Sequence, residues 1–459
     1  MSFGQQRLWF GHALDPDAPH YALGRIYEIF GPLDIAALER ALDAIVDRHE
    51  SLRTTFHVED GAFLQRVGAP LAGGWTRIDL RDRALADGWC DLDARLTRAL
   101  HEAWDPRVGP ILRGAIATLA DGWHALLLTQ RFIGADRWSR ALLHRELSQL
   151  HDAFANGQPS PLAPLPLRYV DYSAWQRDRL SGARLDRLLD YWTGQLRDAP
   201  RSPQLPADRA RASARARTGG TVYRRMPAAV VSRLGALAVQ QRVTPFMLHV
   251  AAFNALLHRL TGDVDLVIGA PVAGRLRPET DAVIGFFGNT LALRTDASGD
   301  PAFVELLQRV RRTTLDAFAH QELPFERLVE ALPVVREPFG DPLTRVLFAY
   351  QNQPDESLSL AGCEVRERDG VSAAFPFELA LSLYPSDAGL LVRAQFQSAL
   401  FDPGSIERLL ARFETLLAGI ADDPARPLSA LPLMAPGERE QLLASMPGPV
   451  PPLPVPALV

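Results

Sequence analysis

Residues 129–139 bring together side chains that could bind an anion or transfer a proton. They read Thr-Gln-Arg-Phe-Ile-Gly-Ala-Asp-Arg-Trp-Ser, which places the carboxylate of Asp136 next to the guanidinium of Arg137. An apolar run at 125–128 precedes the segment, and apolar residues with helical spacing follow it at 143–154. The pattern predicts a strand, a loop and the start of a helix, a junction at which active sites are common.

This segment resembles the active-site loop of the condensation domains of nonribosomal peptide synthetases. That loop carries the signature His-His-x-x-x-Asp-Gly between Leu-Thr-x and Trp-Ser, and the flanks align here without a gap. Arg131 and Phe132 then stand at the two histidines, Asp136 matches the aspartate, and Arg137 stands at the glycine.

The resemblance assigns the second histidine of the family to the attacking amine, either as general base or as the group that positions it. A positioned acid or base typically contributes ~10²–10⁴ in rate. Phe132 cannot take that role, and Arg131 does not release a proton near neutral pH. Arg137 adds a long cation where the family keeps a bare backbone. We therefore expect a chemically silent and obstructed loop, with no catalytic residue among these four positions.

The scaffold around the loop is expected to survive. Residues 48–53 read Arg-His-Glu-Ser-Leu-Arg and resemble the family segment whose arginine holds the motif aspartate. The resemblance implies that Arg53 and Asp136 form a structural pair, because a bidentate arginine contact can orient a carboxylate without taking part in chemistry.

Further family segments occur in the family's order along the chain. They lie at 2–10, 169–175, 284–290, 320–326 and 336–351. Gly288 stands where valine is usual, and Glu322 and Leu323 stand where the family has Asp-Tyr. Most of the family pattern is thus present, and the central loop departs from it most.

Length and periodicity independently predict an α/β architecture with two units. The chain has 459 residues, of which 47% are hydrophobic, and single cores stop growing near ~250–300 residues. Asp34 can cap a helix, Thr244 and Pro245 can open another, and Asp265–Ala270 has the pattern of a buried strand.

The resemblance implies two lobes like chloramphenicol acetyltransferase, arranged as a V with a tunnel between them. We expect an N-terminal lobe at 1–175, a C-terminal lobe at 176–435 with a mobile Pro/Arg-rich loop at 199–220, and a proline-rich linker at 436–459. The start on the opening motif and the linker suggest a piece of a longer synthetase.

Charge and cysteine content exclude several classes. The net charge of −5 argues against a nucleic-acid surface. Cys90 and Cys363 are too few for a disulfide framework or a metal site, which favours a reducing cytoplasm. No signal peptide or bilayer-spanning run is present, so we expect no membrane partner.

Other polar residues could replace the missing base, but each also has an ordinary structural interpretation. His320 opens its family segment, His124 and His144 flank the loop, and Glu50 and Glu326 could form an acid and base pair. Buried histidines are usually satisfied by backbone, and carboxylates are usually solvated or ion-paired. Arg131 could be a recruited anion or phosphate contact, although an arginine near a cleft more often pairs with a local carboxylate. Phe132 is expected to extend the core.

The preferred hypothesis is a catalytically inactive condensation-like domain that serves as a docking platform. It would recruit a tailoring oxygenase to substrate on a peptidyl carrier protein, beside adjacent synthetase domains. It would bind no cofactor of its own and would meet the phosphopantetheine arm of the carrier. The resemblance includes the X-domain, which recruits haem monooxygenases, and the interface domain of siderophore synthetases, which recruits a β-hydroxylase. The N-terminal segment resembles the ordinary L-amino-acid condensation subtype, which favours the interface type slightly. The X-domain motif has arginine where Phe132 stands, which weakens the X-domain assignment.

Two alternatives stay open. The domain could form peptide bonds by proximity alone, which can contribute ~7–11 kcal/mol. Heterocyclisation domains carry the pattern Asp-x-x-x-x-Asp-x-x-Ser in this loop. Asp136 and Ser139 match its second half, but Arg131 stands at its first aspartate. The domain could also be a passive spacer.

Overall fold

The computed structural model describes residues 1–14, 22–70, 74–102, 104–200, 203–211, 219–333, 343–351, 356–368, 377–386, 389–435, 437–438 and 440. The helices of these residues are α1 Phe3–Leu14, α2 Ile35–Arg48, α3 Leu85–His101, α4 Arg137–Ala155, α5 Tyr169–Arg179, α6 Gly182–Gln195, α7 Ala228–Gln240, α8 Pro245–Thr261, α9 Phe303–Ala319, α10 Phe325–Ala331 and α11 Pro403–Asp422. The strands are β1 Ala22–Phe30, β2 Thr54–Glu59, β3 Ala62–Val67, β4 Thr76–Asp79, β5 Leu112–Ala120, β6 Trp123–Arg131, β7 Gly219–Met226, β8 Asp265–Val272, β9 Asn289–Asp296, β10 Val346–Tyr350, β11 Glu364–Arg368, β12 Leu379–Ser386 and β13 Gly389–Gln397.

The N-terminal lobe is built on a five-stranded sheet in the order β11-β1-β6-β5-β4. Side chains of β6 alternate between two cores, as the two-residue period of a strand requires. Leu126 and Leu128 pack with α2 and α4, whereas Ala125 and Leu127 pack with α3. Because both faces are covered, the middle of β6 at residues 125–128 is a continuous apolar run.

Local signals in the sequence account for several elements of both lobes. The side chain of Asp34 accepts a hydrogen bond from the Ala37 amide and caps α2, whose apolar face is buried. Thr244 caps α8, and Pro245 occupies its first turn. These caps, the strand at Asp265–Val272 and the strand, turn and helix around residues 123–155 confirm the sequence-based predictions.

The C-terminal lobe contains a six-stranded mixed sheet in the order β7-β13-β12-β10-β8-β9. Strands β8, β10 and β12 run parallel. One face packs on α7, α8, α9 and α11 around Phe253, Leu381, Val392 and Phe413. On the opposite face of the sheet, residues such as Tyr384 and Arg393 are half-buried.

The sheet of the N-terminal lobe includes a strand from the second half of the chain. Although β11 comes from the second half of the chain, it pairs antiparallel with β1, with Tyr27 opposite Glu367. The predicted division between 175 and 176 falls within α5. That division and the tunnel between the lobes stay predictions.

The described part of the predicted mobile loop is packed on the C-terminal lobe. Leu205 is buried, and Arg211 donates to the carboxylate of Glu378 at 2.9 Å. Residues 201–202 and 212–218 of this loop lie outside the described residues, as does the predicted linker at 436–459 apart from 437, 438 and 440. Within the described ranges, no helix is long and apolar enough to span a bilayer.

Candidate functional site

Asp136 organises the motif loop from the first position before α4. Its Oδ1 accepts hydrogen bonds from the Ser139 amide at 2.9 Å and from the Ser139 hydroxyl at 2.8 Å. Its Oδ2 accepts a hydrogen bond from the Phe287 amide at 3.0 Å. The carboxylate is therefore an N-cap and a contact between lobes, and its lone pairs are engaged in structure.

Arg275 is the ionic partner of Asp136. Its Nη2 lies 3.3 Å from Asp136 Oδ1, and its side chain is 1% exposed. The guanidinium also donates to the carbonyl of Val283 at 2.8 Å and lies over the ring of Phe287. Burial lowers the pKa of Arg275, and the neighbouring carboxylate of Asp136 opposes that shift. Sequence reasoning missed Arg275, whose position after β8 carries no local signal of this pairing.

The predicted pairing of Arg53 with Asp136 is wrong. Arg53 donates to the carbonyls of Gly68 and Asp47 and lies 3.8 Å from the carboxylate of Glu50. The reason is local geometry, because Arg53 ends a 3-10 turn and its side chain turns toward the β2-β3 hairpin.

Other residues of the 48–53 segment do reach the C-terminal lobe. The Ser51 hydroxyl donates to the Ile284 carbonyl at 2.6 Å, and His49 Nδ1 accepts from the Ile284 amide at 3.2 Å. This contact assigns the proton to His49 Nε2, which donates to Glu146 at 2.8 Å. Burial lowers the pKa of His49. The histidine is thus neutral at pH 7 and holds the two lobes together.

Ser139 completes the contact between the motif loop and the C-terminal lobe. Its hydroxyl oxygen accepts a hydrogen bond from the Gly285 amide at 3.0 Å, and the Asp136 amide donates to the Gly285 carbonyl at 3.2 Å. The loop is consequently fixed by backbone and side-chain contacts from the segment at 283–288.

Phe132 occupies the position of the second family histidine. It lies in the 3-10 turn Phe132–Gly134 and packs, partly buried, against the core of the N-terminal lobe. This confirms the prediction that Phe132 extends the core. An aromatic hydrocarbon there can neither accept a proton nor donate a hydrogen bond.

Arg131 is directed toward the end of α3. Its Nη2 donates to the Glu102 carbonyl at 3.2 Å, and its guanidinium lies 5.5 Å from the ring centre of Trp104. A cation at a helix C-terminus is favourable because the last carbonyls carry partial negative charge. Burial lowers the pKa of Arg131 to about 10. The hydrogen bond of Arg131 is thus made to a backbone carbonyl.

Arg137 reaches from the N-terminal lobe to the C-terminal sheet. It is the first residue of α4, and its Nη1 donates to the hydroxyl of Tyr384 on β12 at 3.4 Å. Its guanidinium carbon lies 5.4 Å from the centre of the same ring. A long cation therefore spans the space between lobes at the position where the family has glycine.

The histidines considered as replacement bases have structural partners. His144 donates from Nδ1 to the Glu356 carbonyl at 2.7 Å, so its Nε2 accepts from Tyr27 at 2.7 Å. His124 lies 3.2 Å from the Thr118 hydroxyl, and burial lowers its pKa. His320 donates to the Asp316 carbonyl and stacks on Tyr191.

The two candidate carboxylates also have local partners and do not form a pair. Glu50 lies beside Arg53, and Glu326 lies 3.1 Å from Arg7. In the part of the chain that the structure describes, no group of three His, Cys, Asp or Glu side chains could hold a metal ion.

The two-lobed α/β fold and the motif loop define a condensation-type domain whose loop lacks the imidazole. A family model described as Condensation domain matches residues 1–443. The chain belongs to the condensation-domain family, and the resemblance to nonribosomal peptide synthetases is confirmed.

Curated relatives include large synthetases. A linear gramicidin synthase protein of Brevibacillus parabrevis is 39% identical over 447 residues, covering 96% of this chain and 6% of the relative. Phosphinothricin tripeptide synthetase PhsB of Streptomyces viridochromogenes is 37% identical over 450 residues, covering 96% of this chain and 37% of the relative. The chain thus spans a small part of the proteins it matches.

Solved structures confirm the fold. The X-domain from teicoplanin biosynthesis matches with a TM-score of 0.85 and 26% identity, covering 95% of this chain and 97% of that one. A complex of the X-domain and OxyB from teicoplanin biosynthesis matches with a TM-score of 0.85 and 27% identity, over 95% and 96%. The first condensation domain of the calcium-dependent antibiotic synthetase has a TM-score of 0.77 at 24% identity, over 95% and 98%, and supports the fold alone.

Proposed function

We propose that this domain is a catalytically inactive member of a peptide synthetase and acts as a docking platform for a tailoring oxygenase. The observation that carries the proposal is the motif loop itself. Asp136, Ser139 and Arg275 hold it firmly, yet Phe132 fills the place of the proton-handling residue. A scaffold retained without its chemistry is consistent with a binding role.

The missing imidazole removes the usual way of assisting amine attack on a thioester. General acid or base catalysis is worth ~10²–10⁴ in rate. His144 and His320 are engaged elsewhere and do not substitute for it. Arg137 supports the same conclusion, since its side chain crosses from the N-terminal lobe to Tyr384. We infer that it obstructs the space in which two carrier arms meet.

The proposed partner is supported by structural similarity. The teicoplanin X-domain, whose fold this chain shares, has been solved together with OxyB. We infer an oxygenase of the haem monooxygenase or β-hydroxylase class, delivered to substrate on the phosphopantetheine arm of a neighbouring carrier protein. The proposed setting is the cytoplasm, and Cys90 and Cys363 are free thiols.

A peptide-bond-forming enzyme is the second candidate, and sequence similarity favours it. The synthetases above are 37% and 39% identical, compared with 26% and 27% for the X-domain structures. Holding amine and thioester together can lower the barrier by ~7–11 kcal/mol without a base. The two candidates differ in whether dipeptide accumulates.

A condensation assay tests the loss of activity. The purified domain is mixed with aminoacylated donor and acceptor carriers, and dipeptide on the acceptor is measured by mass spectrometry. We expect no more product than with the Phe132→Ala variant, whereas a histidine-containing condensation domain serves as the positive control. Turnover by the wild-type domain at the rate of that control overturns the proposal.

A calorimetric titration tests recruitment. Oxygenases encoded beside the parent synthetase are titrated into this domain and, as a matched control, into a histidine-containing condensation domain. Specific binding requires a patch of ~800 Å² on each partner. A saturable binding heat with this domain and none with the control domain supports a docking platform. The absence of binding heat with every oxygenase favours a passive spacer.

A further inference from the structure

We infer that Arg137, Tyr384 and Arg393 form a binding site for an oxyanion between the two lobes. The ligand class is a carboxylate or phosphate group, carried either by a tethered substrate or by the pantetheine arm itself. This inference does not depend on recruitment of an oxygenase.

The strand register places the C-terminal part of the site on one face of the sheet. Tyr384 on β12 is opposite Leu391 on β13, and Arg393 lies two residues further along β13. Directly opposed residues and residues two apart share a face of a sheet. Leu390, Val392 and Ala394 point the other way into the core. Arg393 and Tyr384 therefore project together from the face without helices.

Two guanidinium groups meet at the Tyr384 ring. The guanidinium carbon of Arg393 lies 5.3 Å from the ring centre, and that of Arg137 lies 5.4 Å from it. All three side chains are half-buried. They are thus shielded from bulk water and still open to a ligand, which strengthens their interaction with an anion.

Arg393 has an unused donor. Its Nε is buried and has no hydrogen-bond partner among the described residues. A buried donor without an acceptor is unfavourable, so this group favours binding of an oxygen atom. Among the residues that the structure describes, no carboxylate lies within ion-pair distance of Arg393. Arg211 and Arg224 of the same lobe, by contrast, form ion pairs with glutamates.

Neighbouring groups add positive potential. Arg225 on β7 is opposite Leu391, which puts it on the same face as Arg393 and diagonally adjacent to it. Arg137 begins α4, where the helix N-terminus contributes partial positive charge. Planar guanidinium groups match the geometry of carboxylate and phosphate oxygens, and Tyr384 adds a hydroxyl donor.

Binding of small probes tests the site. Pantetheine 4′-phosphate, glutaryl pantetheine and unmodified pantetheine are titrated by calorimetry into the wild-type domain at low and high salt. The first probe carries a phosphate, the second a carboxylate and the third no charge. We expect one or both anionic probes to bind, with an affinity that falls as salt rises, and the neutral probe to bind at least tenfold more weakly.

Substitutions assign the binding to these residues. Arg393→Gln and Arg137→Gly should each weaken the anionic probe about tenfold or more, since each removes a charge-assisted contact. Arg393→Lys keeps the positive charge and should bind the anionic probe more tightly than Arg393→Gln does. It also tests the site if the glutamine variant does not fold. Arg233→Gln, at an exposed position of α7, is the matched control and should leave binding unchanged. Thermal unfolding confirms that each variant is folded.

Each outcome has a defined meaning. Arginine-dependent binding of the phosphate probe alone assigns the site to the pantetheine arm, and binding of the carboxylate probe alone assigns it to the carried substrate. Equal binding by the wild-type, Arg393→Gln and Arg137→Gly proteins overturns the inference, as does equal binding of charged and neutral probes. The condensation and oxygenase assays are independent of these results.

Discussion

The carboxylate of Asp136 and the guanidinium of Arg275 lie 3.3 Å apart, although 139 residues separate them in the chain. Asp136 belongs to the loop of the N-terminal lobe and Arg275 follows β8 of the C-terminal lobe. The ion pair therefore joins the lobes, and it does so with side chains that are 9% and 1% exposed.

A double-mutant cycle should show a coupling free energy between Asp136 and Arg275. Asp136→Asn and Arg275→Gln should show a coupling free energy of about 1–3 kcal/mol in urea unfolding, since contacting buried groups are not additive. The same cycle with Arg53→Gln should give a coupling within about 0.5 kcal/mol, because Arg53 contacts Gly68, Asp47 and Glu50. A larger coupling to Arg53 would contradict the assignment.

His249 should make folding stability depend on pH. It is 4% exposed, donates from Nδ1 to the Pro245 carbonyl, and has no partner for Nε2 among the described residues. Burial lowers its pKa to about 4. The unfolded chain then binds more protons below pH 6.5, so stability falls as pH decreases from 6.5 toward 4.

The free energy of unfolding measured at pH 7 and pH 5 tests this dependence. His249 should account for a loss of about 2 kcal/mol between these values. His249→Leu should reduce the wild-type loss by that amount, and His101→Leu, an exposed control, should not reduce it. An unchanged loss in His249→Leu would show that the imidazole is not buried in neutral form.

Local patterns in the sequence predict elements well because their causes are local. Asp34 before an apolar helical pattern and Thr244 before Pro245 both cap helices as expected, since a cap depends on residues three apart. The motif order predicts the family, and the match over residues 1–443 confirms it. Phe132 joins the core because its apolar ring follows a buried strand.

Contacts between distant segments could not be derived in the same way. The pairing of β11 with β1 joins residues more than 300 apart, and Arg275 finds Asp136 when the lobes dock. Arg53 stands in the family segment but is turned away by the geometry of its own 3-10 turn. Arg131 illustrates the same limit, since its acceptor is a carbonyl at the end of α3.

Arg131 should stabilise the fold. Arg131→Met removes the hydrogen bond to Glu102 and the cation at the end of α3, and should destabilise the domain by about 1 kcal/mol. Arg95→Met removes only a partly exposed ion pair with Asp91 in the middle of the same helix, and should leave the unfolding midpoint nearly unchanged. Stability of Arg131→Met equal to wild type would instead leave Arg131 free for a functional role.

Restoring the family residues should restore chemistry if the proposed loss of function is correct. Phe132→His supplies an imidazole, and Arg137→Gly removes the side chain that reaches Tyr384. The double variant should form dipeptide from loaded carriers about 10²–10⁴ times faster than the wild-type domain, the range expected for a positioned base. Initial rates of dipeptide formation measure this gain.

The matched control separates the base from the opened space. Phe132→Leu combined with Arg137→Gly removes the same guanidinium but provides no proton acceptor, so its rate should stay at the wild-type level. If both double variants gained equally, the obstruction by Arg137 would be the sole cause of inactivity. If neither gained while both remained folded, the docking of the carriers, and not the motif, would have been lost.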